Sequence, residues 1–183
     1  MSISTRRGDG GETDLMFGRR VRKTDPVVGA IGAVDELNAA LGVVRVFCEG
    51  EETGVAVAEI QEQLIGLMGV LSTAEADEAD YCEKGYRGLG RDEIDYLDGR
   101  VAHLEREDRN RFSGWARPGG EGKAGSAFLD VARTVCRRAE REVLAVRGEG
   151  SHGAVYLNRL SDLLWLLARE EAHVEGTEPR ESE

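Results

Sequence analysis

Apolar residues recur at spacings of three and four along most of this chain, and no window alternates as a β-strand would. The first such stretch has clear start signals, because Asp25 is a good capping residue and Pro26 suits a first helical turn. We therefore predict an all-α fold, and its five helices cover residues 26–48, 54–73, 91–107, 123–147 and 152–173.

The last predicted helix is apolar around most of its circumference. Its large aliphatic residues are Val155, Leu157, Leu160, Leu163, Leu164, Leu166 and Leu167. A helix of this kind is usually buried at the centre of a bundle or at a subunit contact. Asn158 and Asp162 form a narrow polar stripe on it. Because an unpartnered buried polar group costs about 1–3 kcal/mol, we expect both residues to face polar partners.

The helices lie between two polar ends. Residues 1–25 are rich in glycine and lack a helical period, so we expect an ordered N-terminal loop before a helical domain over 26–173. The last fourteen residues, from Glu170, contain six glutamates and one arginine. We expect them to fray, with a disordered acidic tail over 174–183.

The composition argues against several classes of protein. The 183-residue chain has a formal net charge of −11, which disfavours nonspecific binding to nucleic acid. Met1 leads into polar residues rather than an apolar signal sequence, and we find no stretch long enough to span a membrane. The three scattered cysteines fit a reducing compartment. We therefore expect a cytoplasmic protein without membrane or nucleic-acid partners.

Protein-bound metal and a protein nucleophile are also disfavoured. Residues 170–173 contain one Glu-x-x-His motif, whereas di-iron bundles need two copies and further inward glutamates. The histidines show no other ligand spacing, and Cys136 falls in an apolar seam. We predict neither a metal site in the protein nor a Ser, Cys or His nucleophile.

Positive charge gathers on the fourth predicted helix, where residues 130–141 read DVARTVCRRAER. Arg133 and Arg137 are neighbours one turn apart, and this repulsion costs a few tenths of a kcal/mol. Two adjacent guanidiniums suit a polyphosphate, although salt bridges to the many glutamates are an open alternative. On the first helix, Asp35 lies at the edge of the apolar stripe, and Arg133 is its candidate partner for either structure or function.

The N-terminal segment TRRGDGGET, residues 5–13, has the composition of an anion-binding loop. Its glycines allow backbone N–H groups to turn inward around an anion, and an ordinary turn is the alternative. It is not a Walker loop, since no Gly-Lys-Ser/Thr follows. Hydroxyl and cationic side chains are supplied by Thr5, Thr13, Arg6 and Lys23.

Four blocks together resemble the PduO-type ATP:cob(I)alamin adenosyltransferases. The blocks are TRRGDGGET, RVRKTDP through GAVDELNAALG, ARTVCRRAER and YLNRLSDLL, at 5–13, 20–42, 132–141 and 156–164. The resemblance implies a five-helix up-and-down bundle of the ferritin-like type, assembled as a homotrimer with active sites between subunits. It also implies transfer of the 5′-deoxyadenosyl group of ATP to the cobalt of cob(I)alamin, with Mg²⁺ present and triphosphate released.

The same resemblance implies roles for individual residues. The loop that wraps the triphosphate corresponds to Thr5, Arg6, Gly8, Asp9, Gly10 and Thr13. Lys23 matches a phosphate-contacting lysine, and Asn158 matches an asparagine that contacts the nucleotide. Nucleotide contacts from the neighbouring subunit correspond to Arg137, Arg138, Glu140 and Arg141. Asp35 and Arg133 match a pair that bridges subunits, and with Lys23 and Arg137 they are the candidate catalytic residues.

The corrinoid side of the site departs from the family pattern. Trp115 stands where the family has a phenylalanine that packs under the corrin ring, and Arg117 replaces an apolar residue. The alternative to an enzyme is therefore a diverged bundle that binds ATP or a corrinoid, or delivers cofactor, without turnover. A third hypothesis is a structural bundle. For an enzyme, possible partners are a cob(II)alamin reductase and an adenosylcobalamin-dependent mutase.

Overall fold

The computed structural model describes residues 4, 6–106, 116–120 and 122–174. An antiparallel hairpin of β1 (Glu12–Asp14) and β2 (Arg20–Arg22) precedes the helices. The helices are α1 (Pro26–Phe47), α2 (Glu51–Leu71), a short α3 (Glu78–Glu83), α4 (Arg91–Arg106), α5 (Ala124–Arg147) and α6 (His152–Ala172). The five long helices confirm the predicted all-α fold, and each end lies within three residues of its predicted position.

The long helices alternate in direction, as contacts at their ends indicate. Phe47 at the end of α1 lies beside Phe128 near the start of α5, with ring centroids 5.1 Å apart. Arg147 at the end of α5 donates from Nη2 to the carbonyl oxygen of Val70 at the end of α2, at 2.7 Å. Helix α5 is therefore antiparallel to α1 and parallel to α2, as an up-and-down bundle requires.

Helix α6 lies at the centre of the core, where it packs against α4 and α5. Leu157, Leu160 and Leu164 are fully buried, and burial of each leucine stabilises the fold by about 1.5–3 kcal/mol. The central position predicted from its apolar circumference is confirmed. Asp162 is exposed, so it does not need the protein partner that the sequence suggested.

Two core helices have the apolar character of membrane spans. By length and composition alone, α1 and α2 are both apolar enough to cross a membrane. The expectation that no stretch reaches this length is wrong on that criterion. In the bundle, apolar residues of both helices, including Leu37, Leu41, Ile60 and Leu64, are fully buried. Core helices of water-soluble bundles pass the same test because their buried faces are equally apolar.

Two further elements differ from the sequence-based expectation. The segment over 74–90, which lies between the second and third predicted helices, contains a 3-10 turn at Glu75–Asp77 and helix α3. The N-terminal segment contains the short β-hairpin. Its strands have three residues each and are largely exposed, so they leave no alternating apolar pattern to detect.

The predicted fraying from Glu170 is wrong for the first residues of that segment. Helix α6 continues to Ala172, and Glu171 is only 1% exposed. Its carboxylate accepts hydrogen bonds from the backbone N–H groups of Glu49 and Gly50, in the connection between α1 and α2. These donors compensate for the burial of the charge. Most of the predicted acidic tail, residues 175–183, lies outside the described residues.

Candidate functional site

The N-terminal hairpin is held together by a network of charged side chains. Arg20 donates to Glu12 at 2.8 Å, to Asp14 at 3.2 Å and to the carbonyl oxygen of Arg7 at 2.8 Å. The strands pair Thr13 with Val21, so Thr13 lies beside the second strand. The expected ordered N-terminal loop is therefore a hairpin whose strands are fixed to each other and to the preceding turn.

The hairpin is also fixed to the bundle. The N–H of Met16 donates to the carbonyl oxygen of Ser72 at 3.0 Å. Arg19 Nη2 donates to Asp77 Oδ1 at 2.9 Å, and this hydrogen bond lowers the pKa of the Asp77 carboxyl. This ion pair and the bond of Met16 hold the hairpin at the end of α2.

The glycine-rich turn surrounds Lys23. The backbone N–H of Lys23 donates to the carbonyl oxygen of Gly11 at 2.8 Å. A Cβ atom built on Gly8 would lie 3.0 Å from the Lys23 ammonium nitrogen, so the missing side chain leaves room for the lysine. Arg6 adopts a positive φ of 57°, which few non-glycine residues adopt. Asp9 and Gly10 are exposed on the same turn, and Thr5 lies outside the described residues.

The two cations of this turn have no acidic partners in the described part of the chain. Neither Arg6 nor Lys23 forms an ion pair there, whereas Arg7 and Arg20 both pair with Asp14. Arg6 and Lys23 are exposed. Two unpaired cations beside a glycine turn form a place where a multiply charged anion would be stabilised.

The arginines of α5 have different surroundings. Arg137 and Arg141 are exposed, and Arg141 donates to the carbonyl oxygen of Arg137 at 2.8 Å. Arg138 pairs with Glu36 of α1, and this contact raises the pKa of the guanidinium further. The salt-bridge alternative therefore accounts for Arg138, whereas the side chain of Arg137 projects from α5 without an ion pair among the described residues.

Arg133 belongs to a partly buried charge network. Its Nε donates to Asp130 at 3.1 Å, and Asp130 also accepts from Arg169 of α6. Asp130 and Arg169 are 3% and 2% exposed. Asp35 is exposed on α1, so the pairing of Asp35 with Arg133 within one chain is absent from the described contacts. Arg169 was not identified from the sequence. The i, i+3 spacing of Asp130 and Arg133 was the one pattern in the sequence that indicated a charge network here.

Asn158 and Glu140 connect α6 to α5. Asn158 Nδ2 donates to Glu140 Oε1 at 3.2 Å, and Arg159 donates to Asn158 Oδ1 at 3.2 Å. The expectation that Asn158 has a polar partner is confirmed. The bond fixes the Glu140 carboxylate near Arg137, one turn away on the same helix.

The structure brings the predicted residues together in two groups. One group is the hairpin with Lys23, and the other comprises the α5 residues with Asn158. Arg138 pairs with Glu36, about ten residues into α1, so the α5 group lies roughly 15 Å along the bundle from the start of that helix. No contact between described residues joins the groups. Trp115, the candidate corrinoid contact, lies outside the described residues.

No protein nucleophile is evident in either group. Burial raises the pKa of the Cys136 thiol, whose Sγ donates to the carbonyl oxygen of Leu157 at 3.2 Å. Within the described ranges, no three His, Cys, Asp or Glu side chains are grouped to hold a metal ion. The site thus offers cations and hydrogen-bond donors, which is the chemistry of anion binding.

Comparison with known proteins gives consistent relatives. Residues 3–171 match the sequence model of a family described as Cobalamin adenosyltransferase. A protein of that name from Cupriavidus metallidurans is 39% identical, over 91% of this chain and 86% of its own. Corrinoid adenosyltransferase PduO of Salmonella typhimurium is 37% identical over 93% of this chain, which spans only 50% of that relative.

A solved structure is similar over nearly the whole chain. It is a variant of the PduO-type ATP:corrinoid adenosyltransferase from Lactobacillus reuteri, complexed with cobalamin and ATP. It has a TM-score of 0.79 and 27% sequence identity, and the similarity covers 92% of each chain.

Proposed function

Because the chain belongs to the cobalamin adenosyltransferase family, we propose that it is a transferase that moves the 5′-deoxyadenosyl group of ATP to the cobalt of a corrinoid. ATP and the corrinoid are its substrates, as in the solved relative bound to both. Cob(I)alamin supplies the electron pair that bonds to C5′, while the C5′–O bond breaks and its pair leaves with triphosphate. Since the nucleophile comes with the substrate, the absence of a reactive Ser, Cys or His in the described part of the proposed site is consistent with the reaction.

The N-terminal hairpin would bind the triphosphate. The observation that carries this proposal is the glycine turn holding Lys23 and Arg6 without acidic partners among the described residues. Backbone N–H groups of the turn and the side chains of Thr5, Asp9 and Thr13 complete the proposed loop. Cations positioned before the reaction stabilise the charge that develops on the departing triphosphate.

The α5 group would contact the nucleotide of a neighbouring subunit. Arg137 projects from α5 and lies at a different level of the bundle from the hairpin of its own chain, which supports a site completed by a second copy. Arg141, Arg138 and the Glu140–Asn158 pair would flank it. In this arrangement, Asp35 pairs with Arg133 across the subunit boundary.

An exposed apolar face supports the proposed homotrimer. Val43, Val46 and Phe47 of α1 and Val131 of α5 are 39%, 75%, 48% and 52% exposed. Covering such a face removes apolar surface from water, which favours association.

Mg²⁺ would enter with ATP rather than occupy a site in the protein. Magnesium at such sites is held mainly by substrate phosphates and water, with few carboxylates. The lack of a three-ligand group in the described residues fits this mode. The ion would neutralise phosphate charge, and Asp9 is the candidate carboxylate on the turn.

Trp115 would supply a flat apolar surface to the corrin ring, and the neighbouring Arg117 is exposed.

We also propose a cytoplasmic location, with a cob(II)alamin reductase as the source of reduced corrinoid and an adenosylcobalamin-dependent mutase as the recipient.

An anaerobic assay tests the activity. Chemically reduced cob(I)alamin is mixed with ATP and Mg²⁺, and the absorption spectrum of adenosylcobalamin is followed. We expect product, and we expect Arg137→Ala to lower kcat by about a hundredfold. Arg91→Ala is the matched control, because Arg91 is exposed on α4 and pairs with Asp95.

ATP binding without product would instead favour the diverged binding protein. If Arg137→Ala keeps both ATP binding and turnover, Arg137 is not part of the site.

A further inference from the structure

A cavity of about 400 Å³ lies where α2 and α5 end and α6 begins. Part of its wall is formed by the segment over 78–89, including α3. Cavities of this size accept small organic molecules. None of the residues proposed to bind ATP or the corrinoid lines it, and the hairpin bonds to Ser72 and Asp77 beside it.

The segment over 78–89 packs closely against α2. A Cβ atom on Gly66 would lie 2.5 Å from the carbonyl oxygen of Gly88, and one on Gly69 would collide with the Tyr81 hydroxyl. That hydroxyl donates to the carbonyl oxygen of Arg87 at 2.7 Å. Tyr86 packs on Tyr81 with ring centroids 5.1 Å apart. The two glycines thus allow this segment to pack directly on the helix and enclose the cavity.

The interior is apolar over most of its surface. Leu67, Leu71, Leu89 and Val143 line it, and none is more than 9% exposed. Such a lining favours an aliphatic or aromatic body, because binding removes apolar surface from water on both sides.

Arg147 supplies a cation to this apolar cavity. It is half-buried, and its Nη2 donates to the carbonyl oxygens of Val70 and Thr73 at 2.7 and 3.0 Å. Its Nε and Nη1 have no acceptor among the described residues. The other two nitrogens keep N–H donors, and each can donate singly to a carboxylate oxygen.

The start of α6 adds donors beside Arg147. Ser151, His152 and Gly153 also line the cavity. The Ser151 hydroxyl donates to the carbonyl oxygen of Gly148 at 3.0 Å instead of capping the helix. The N–H groups of Gly153 and Ala154 therefore lack a side-chain cap, at the positive end of a 21-residue helix.

We propose that this cavity binds a small carboxylate with an aliphatic body. The carboxylate contacts Arg147 and the first N–H groups of α6, while the body lies against Leu67, Leu71 and Leu89. Glu78, the one acidic residue in the lining, is exposed at the rim, where water screens its charge. The proposal does not depend on the adenosyltransferase activity.

Two probes of similar size show whether binding depends on the charge of the head group or only on the aliphatic chain. Hexanoate and hexylammonium each contain six carbon atoms and carry opposite charges. In a titration of the full chain without ATP, followed by amide NMR, we expect hexanoate to shift the Gly153 and Ala154 resonances saturably. We expect hexylammonium to leave them unchanged at the same concentrations.

A variant that fills the cavity tests the location. Val70 lines the cavity and is half-buried, and Val70→Phe would place a ring inside it. We expect hexanoate affinity to fall at least about tenfold. Val55→Phe is the control, because Val55 is 66% exposed on the same helix and lies outside the cavity. This variant should bind hexanoate normally.

Thermal unfolding shows whether either variant remains folded. Equal shifts with both probes, no saturable shift with hexanoate, or unchanged affinity in a folded Val70→Phe would each overturn the proposal. These outcomes are independent of the cob(I)alamin assay, so failure of one leaves the other standing.

Discussion

Gly8 determines where the Lys23 ammonium can lie. With only hydrogen on its Cα atom, Gly8 allows the lysine side chain to pass close to the backbone. A Cβ atom added to neighbouring Gly10 would meet no heavy atom within 4 Å. A side chain at Gly8, unlike one at Gly10, would therefore enter the space that the lysine occupies.

Gly8→Val should displace Lys23 and weaken a charge-assisted contact with the triphosphate. Such a contact contributes about 1.5–3 kcal/mol, so we expect KM for ATP to rise about tenfold. Gly99→Val is the matched control and should leave KM unchanged, because a Cβ atom on this exposed glycine of α4 meets no heavy atom within 4 Å. Steady-state kinetics at saturating cob(I)alamin measure both, and equal effects would contradict the role of Gly8.

At this scale the sequence predicted the types of residue better than their partners. Lys23 and Arg6 were identified from a glycine-rich pattern, and Asn158 from its place on an apolar helix. The ion pair of Arg138 could not be predicted, because its partner, Glu36, lies about a hundred residues away on another helix. Sequence spacing predicts neighbours within a helix, but not those between helices.

Helices α5 and α6 are connected by a buried ion pair as well as by apolar packing. Asp130 accepts from Arg169 across the two helices, and Arg133 adds a second guanidinium to the same carboxylate. Neither Asp130 nor Arg169 is more than 3% exposed. Removing the carboxylate would leave Arg169 charged and unpaired in the core, which is costly.

Asp130→Asn should lower the free energy of unfolding by about 3–5 kcal/mol, as loss of one partner of a buried pair usually does. Asp95→Asn is the control, because it breaks the exposed ion pair with Arg91 and should cost at most about 1 kcal/mol. Urea unfolding measures both changes. A small loss in Asp130→Asn would mean that water reaches the pair.

Long amphipathic elements were predictable, and short or exposed ones were not. Periodicity gave the ends of α5 to within one residue. The strands Glu12–Asp14 and Arg20–Arg22 are too short for an alternating pattern, and α3 has six residues among acidic side chains. Their formation depends on contacts with the bundle, such as the bond of Met16 to Ser72, which no local pattern contains.

The end of the described chain is connected to the turn between the first two helices. Glu171 accepts from the N–H of Gly50 at 3.2 Å, in a connection of only three residues. Gly125, at the start of α5, also packs there, since a Cβ atom would lie 2.8 Å from Glu171 Oε1. One carboxylate therefore lies against two other parts of the chain, the connection between α1 and α2 and the start of α5.

Glu171→Ala should leave buried N–H groups without acceptors and lower the free energy of unfolding by about 1–3 kcal/mol. Glu149→Ala, in the exposed connection before α6, should change it by no more than about 0.5 kcal/mol. Chemical denaturation of the two variants gives the comparison. Equal stabilities would show that water replaces the carboxylate.

This bond has a consequence for the order in which the molecule can be completed during synthesis. The connection between α1 and α2 leaves the ribosome long before Glu171, which lies about 120 residues later. Until then, its N–H groups must be satisfied by solvent, and the space beside Gly125 stays open. The bundle is therefore completed only when the segment that contains Glu171 has been synthesised, because α6 and this carboxylate follow α1 to α5 in the chain.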